Sequence, residues 1–358
     1  MTTLAFAFLI HLVFLLILIP LVLKLLGIAF FLLLIAGALA PFESLGWWAG
    51  WFGRPAEKVS ATLTDQNKPA QQGNTEAKHY LVYLSGIGAI SGDYLDPTEI
   101  ELCDKLEARF PGTALVKDVF PYAMNNRGLT SQRLFTSMWK RIEQLKMEGK
   151  GLLVSLVNVR NVFQVAVSAD RRYGPIYNYG TAEVIYAGLL RQGYPVGSGK
   201  PVTIIGYSGG CQIALGSAKY LQSMLEGTPL FIISLGGVMA DDPGLDFIQH
   251  LYHLYGTRDP VHKIGQIAYA GRWPILPYSP WNRAKTDGKI TSNAIGSIGH
   301  AGSKGYFSDK SQLENGQRFL DRSVDAITQV LHEYTDDTLS PVERQTTPKT
   351  SACQDVWF

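Results

Sequence analysis

Cysteine is scarce. Three residues, Cys103, Cys211 and Cys353, cannot build a disulfide framework, and no C-x-x-C pair or His/Cys cluster has metal-site spacing. So few thiols fit a reducing compartment. No metal and no other cofactor is expected. Charge of one sign is lacking as well: 32 Lys and Arg stand against 30 Asp and Glu, a formal net charge of +2. That balance supplies no basic patch for nucleic acid and no acidic tail. No internal repeat is visible. At 358 residues the chain is long enough for one large α/β domain and an accessory segment, and too short for three ordinary domains.

Apolar sequence, by contrast, is concentrated at the N-terminus. Residues 4–40 are almost continuously apolar, broken by His11 and Lys24. The run is nearly twice the ~20 residues that one spanning helix needs. It predicts one or two transmembrane helices, with Pro20, Lys24 and Gly27 marking a turn, and Phe42, Trp47, Trp48, Trp51 and Phe52 forming an aromatic belt. A cleaved signal peptide is the poorer reading. No Lys or Arg precedes the run, the run is too long for an h-region, and Pro41 follows Ala38-Leu39-Ala40. Residues 1–54 are therefore expected to be a membrane anchor. Arg54 and Lys58 point to an integral membrane protein whose folded domain faces the cytoplasm, although Lys24 argues the other way.

Residues 55–78 are polar and rich in Pro, Gln, Asn and Thr, as a linker should be. A folded domain is expected over 79–334 and a loose tail over 335–358. Within the domain, a strand at His79–Leu84 ends at Ser85-Gly86-Ile87-Gly88. A helix is predicted from Pro97 to Phe110 with Ile100, Leu102 and Leu106 inward, then a strand near 114–120 and an amphipathic helix over 131–147. Residues 151–169 are apolar but carry Asn158, Arg160 and Asn161, which is wrong for a span. They read as strand-to-helix or as a cap. An aromatic loop at 170–180 leads into a helix to Arg191. Further strands are predicted at 202–205, 230–235, 250–255 and 293–298, with a last helix over 311–334. The alternation implies a mainly parallel sheet covered on both faces, with a site beyond the carboxyl ends of its strands.

Gly206-Tyr207-Ser208-Gly209-Gly210 is a G-x-S-x-G motif between a strand and a helix, the context that gives it meaning. The turn exposes the serine hydroxyl above a helix N-terminus. Cys211, three residues on, reads as a small apolar residue packed behind the turn. A serine nucleophile needs a base oriented by a carboxylate, in the chain order Ser, acid, His. His300, in the glycine-rich SIGHAGSKGYF, is the best base. His250 and His253 lie in a strand pattern, His262 follows Asp259 too closely, and His332 is on the final helix. Asp259, on the turn after HLYHLYGTR, is the best acid, with a turn or N-cap aspartate as the plainer reading and Asp241 and Asp242 in reserve. Two N–H groups, those of Gly209 and Ile87, are expected to form an oxyanion hole. A plain β-turn at 85–88 competes with that assignment.

The elbow GYSGG, the acid turn GTRDPV and the base loop GHAGSKGYF, in that order after a strand ending in SGIG, resemble the α/β-hydrolase superfamily over about residues 79–334. The resemblance implies an eight-stranded, mostly parallel sheet and a Ser-His-Asp mechanism through an acyl-enzyme. Ser85 stands where many members carry a histidine, and no HGGG run is present. The expectation is a membrane-anchored serine hydrolase of carboxylic esters or thioesters, with a lipid or acyl-ester small molecule as substrate. The segments 173–179 and 273–281 either line an acyl pocket or pack. A non-catalytic membrane scaffold and an acyltransferase using the same residues are the alternatives.

Overall fold

The six residues of β1 (His79–Leu84) are all buried, and they alternate between two cores. Tyr80, Val82 and Leu84 enter one layer, while Leu81 and Tyr83 enter the other, the period-2 signature of a strand covered on both faces. In a computed structural model the described residues are 77–92, 95–124 and 152–339, together with scattered helical positions between 14 and 45. The remaining strands are β2 (Thr113–Val116), β3 (Val202–Tyr207), β4 (Leu230–Leu235), β5 (His250–Tyr255) and β6 (Ile290–Ala294). They form one sheet in the order β2-β1-β3-β4-β5-β6, every pair parallel. The expected parallel α/β sheet is present, with six strands among the described residues rather than eight.

Helices cover both faces. On one side α1 (Pro97–Arg109) and α7 (Phe319–Leu339) pack Leu102, Leu106, Leu320, Val324 and Ile327 against the sheet. Pro97 at the first turn and a capping box between Asp96 and Glu99 set where α1 begins. Ile100, expected inward, is 42% exposed, so the buried stripe runs through Leu102, Cys103 and Leu106 instead. On the other side lie α3 (Gly174–Arg191), α4 (Gly210–Leu225) and the short α6 (Pro280–Thr286). Each fully buried Leu or Ile contributes about 1.5–3 kcal/mol. The ambiguous apolar segment is helical: α2 (Leu152–Ala169) joins Ile90, Phe120, Tyr122 and Tyr177 in a third cluster. Of the expected aromatic loop at 170–180, residues 170–173 form a turn and residues 174–180 are already the first turns of α3. A short helix α5 (Ile264–Ala268) follows β5.

The order of the first three strands creates a switch point. The chain leaves β1 for β2 on one side and returns to β3 on the other, so the loops after β1 and β3 diverge at the carboxyl edge. Open α/β sheets place ligands in such a crevice.

The membrane expectation needs correction. Among the described residues no helix is long and apolar enough to cross a membrane. This overturns the transmembrane segment assigned within 1–54, and the integral-membrane, cytoplasm-facing placement drawn from it. The belt tryptophans, most of the linker, the helix over 131–147, Cys353 and the tail beyond 339 lie outside the described residues.

Candidate active site

Ser208 sits at the junction of β3 and α4 with φ 53°, one of two non-glycine residues with positive φ among the described residues. The left-handed conformation costs a β-carbon residue energy that a packed turn must supply. The glycines around it answer steric needs. A Cβ at Gly206 would lie 2.8 Å from Cys211 Cα, and one at Gly210 would lie 2.7 Å from the carbonyl oxygens of Leu84 and Ser85. The Ser208 N–H donates to Leu235 O at 3.1 Å, and its carbonyl accepts from Cys211 and Val238. The elbow is thus tied to β4 as well as to its own strand and helix. Cys211 is fully buried, donates to Gly206 O and has its thiol pushed up to about 12 by burial, which suits packing.

The three residues expected to work together are brought together. His300 Nε2 lies 2.9 Å from Ser208 Oγ, and His300 Nδ1 lies 2.9 Å from Asp259 Oδ2. They come from the loops after β3, β5 and β6, three ends of one sheet edge. Asp259 Oδ1 accepts from the Val261 N–H at 2.7 Å. Burial pushes the Asp259 carboxyl upward. Hydrogen bonds from His300 and Tyr306, the His300 charge and the Val261 amide outweigh burial and hold it below its ordinary value.

Two tyrosines complete this side. Tyr306 donates to Asp259 Oδ2 and accepts from the Gly256 N–H. Burial, then the bond to Asp259, raises its hydroxyl pKa, so it stays a donor. Tyr207 stacks on the His300 ring at 5.4 Å and donates to the His300 carbonyl at 2.8 Å. Neither tyrosine was singled out in the sequence, although both lie inside the quoted motifs GYSGG and GHAGSKGYF.

The Ile87 side chain packs against the backbone of Gly209. A Cβ on Gly209 would fall 2.8 Å from Ile87 Cγ2, and neither N–H donates a hydrogen bond among the described residues. Asn161, buried in α2, donates from Nδ2 to Ile87 O at 2.7 Å and to Ala89 O at 2.9 Å. Tyr122 donates to Ser85 O at 3.0 Å. The loop after β1 is therefore clamped from outside the sheet. The polar residues of 151–169 hinted at such a role, but their partners are tertiary.

The reserve residues lie elsewhere. Asp242 accepts from Gln212 and the Gly244 N–H, and Asp241 pairs with Arg171. His250 bonds Thr291, His253 bonds Ser234, and His332 packs on Phe110. His262 stacks on Tyr255 and lies 3.4 Å from His253.

No protein-family model matches this chain, and no curated protein matches it. A solved structure of an uncharacterized protein from Pseudomonas aeruginosa is similar at 12% identity over 58% of this chain, with a TM-score of 0.23. The match spans 38% of that protein's length.

A cleft of 720 Å³ opens over the serine, lined by Ile87, Asn158, Tyr207, Val261, Ile264 and His300 among others. The aromatic segments 173–179 and 273–281 are not among its lining residues. Tyr177 is buried with its hydroxyl on Pro121 O, and Trp281 packs 3.5 Å from the Arg272 guanidinium. Gly174, Pro175, Asn178 and Tyr278 line a separate cleft of 540 Å³.

Proposed function

We propose that this chain is a serine hydrolase that cleaves a carboxylic ester or thioester. The observation that carries the reading is the continuous hydrogen-bonded line from Ser208 Oγ through His300 to the buried Asp259. In this reading His300 Nε2 takes the Ser208 proton as Oγ attacks the acyl carbon. Asp259 keeps Nδ1 protonated and stabilises the imidazolium. The amides of Ile87 and Gly209 receive the negative charge that develops on the carbonyl oxygen. His300 then protonates the departing alcohol or thiol, and water enters by the reverse sequence to release the acid. The substrate is a small acyl compound. The preference for lipid that was drawn from the anchor is not carried over.

A fluorophosphonate probe tests this. Wild-type protein should be labelled on Ser208, and Ser208→Ala should not be labelled. Equal labelling of both, or none of the wild type, overturns the reading.

A further inference from the structure

We infer that Asn158 is a substrate-positioning residue, and that the acyl group it serves carries a hydroxyl or amide; this rests on the hydrolase reading. Asn158 and Asn161 stand three residues apart on α2, so they share a helix face. Asn161 is spent on structure, with Nδ2 on Ile87 O and Ala89 O and Oδ1 accepting from Arg160. Asn158 lines the Ser208 cleft one turn earlier, and its amide makes no hydrogen bond among the described residues.

Its Oδ1 is buried and unpaired. A polar atom left in that state costs free energy unless something completes it. The surrounding run, LLVSLVNV, is otherwise suited to an apolar side chain at this place, so α2 packing does not require an amide. A terminal amide turns about χ2 to offer oxygen or nitrogen, which matches a group that both donates and accepts. Hydroxyls and amides are such groups.

The cleft presents both kinds of surface. Asp96, Ser303 and Lys310 lie along it, while Ile87, Ile264 and Phe307 belong to its larger apolar share. Against that apolar wall, the Asn158 amide is a specific place to hold a polar group of the acyl chain.

The test compares kcat/KM for p-nitrophenyl 3-hydroxybutyrate and p-nitrophenyl N-acetylglycinate with that for p-nitrophenyl butyrate, using the full chain. Wild type should prefer the polar esters by about tenfold or more, and Asn158→Ala and Asn158→Leu should bring the ratio toward one. Asn158→Ser, which keeps a small polar group, should retain part of the preference. A purely structural role would lower all three esters together. Fluorophosphonate labelling of each variant confirms a folded site. A wild-type ratio near one, or an unchanged ratio in every labelled variant, overturns the inference. Failure to turn over any ester while Ser208 still labels overturns the substrate class alone. Absence of wild-type labelling overturns both this inference and the hydrolase reading.

Discussion

The Tyr306 hydroxyl donates to Asp259 Oδ2 at 2.7 Å, the oxygen that His300 Nδ1 reaches at 2.9 Å. Because Tyr306 also accepts from the Gly256 N–H just past β5, the carboxylate is fixed to the strand that carries it. Asp259 thus receives two side-chain donors on one oxygen and a backbone donor on the other.

Removing either member of this pair should slow turnover unequally. Asp259→Asn should lower kcat by about 10⁴, since the amide favours the wrong imidazole tautomer. Tyr306→Phe should cost about tenfold or somewhat more, the range of one charge-assisted hydrogen bond. Steady-state kinetics on one p-nitrophenyl ester decides it, and equal losses would contradict this division of roles.

Asn161 holds the loop after β1 through two carbonyls. Asn161→Asp should be worse than Asn161→Ala, because a carboxylate would face both carbonyl oxygens. About 1–3 kcal/mol of stability should be lost for alanine. The activity loss should fall on kcat more than on KM, as expected when an oxyanion donor drifts. Urea unfolding with parallel kinetics measures both effects.

Ser208 itself carries strain. With φ at 53°, Ser208→Gly should be more stable than Ser208→Ala by about 1 kcal/mol, although both lack the hydroxyl. A difference of the opposite sign in urea midpoints would show that the elbow is not held against its backbone preference.

Two buried histidines make stability fall in mild acid. Burial lowers His79 to about 4, and burial with the Arg272 charge lowers His253 to about 3, from an ordinary 6.5. Below about 6.5 the unfolded chain binds protons that the folded chain declines, so stability falls as pH drops. Each histidine contributes about 1.4 kcal/mol per pH unit until its folded value is reached. Asp259, held below its ordinary value, acts lower on the scale: its stabilisation is complete above about 4 and is lost as pH falls through the folded value. Urea midpoints between pH 7 and 4.5 should show a shallower slope in His253→Asn.

Much of the site's framework was legible because local chemistry required it. The glycines flanking Ser208 answer contacts with adjacent backbone, and Asp259 and His300 lie just beyond the strand ends that present them. What escaped depends on tertiary placement. Tyr306 reaches Asp259 across 47 residues, and Asn161 reaches Ile87 across 74. The sequence predicts the last strand at 293–298, a run that contains the apolar Ile295 and Ile298. The strand is Ile290–Ala294, whose polar ITSNA suits an edge, and the two isoleucines are buried after it ends. For the apolar N-terminus, composition predicts a span, whereas among the described residues no helix is long and apolar enough to cross a membrane.

That edge strand has a further consequence. Among the described residues β6 pairs with β5 alone, and the last three of its five residues are exposed, yet the imidazole hangs from the loop that follows it. Marginal strands fray at lower free energy than central ones. Turnover should therefore fail at denaturant concentrations where far-ultraviolet ellipticity is still intact. The durability of the chemistry is set by the least-held strand rather than by the core beneath it.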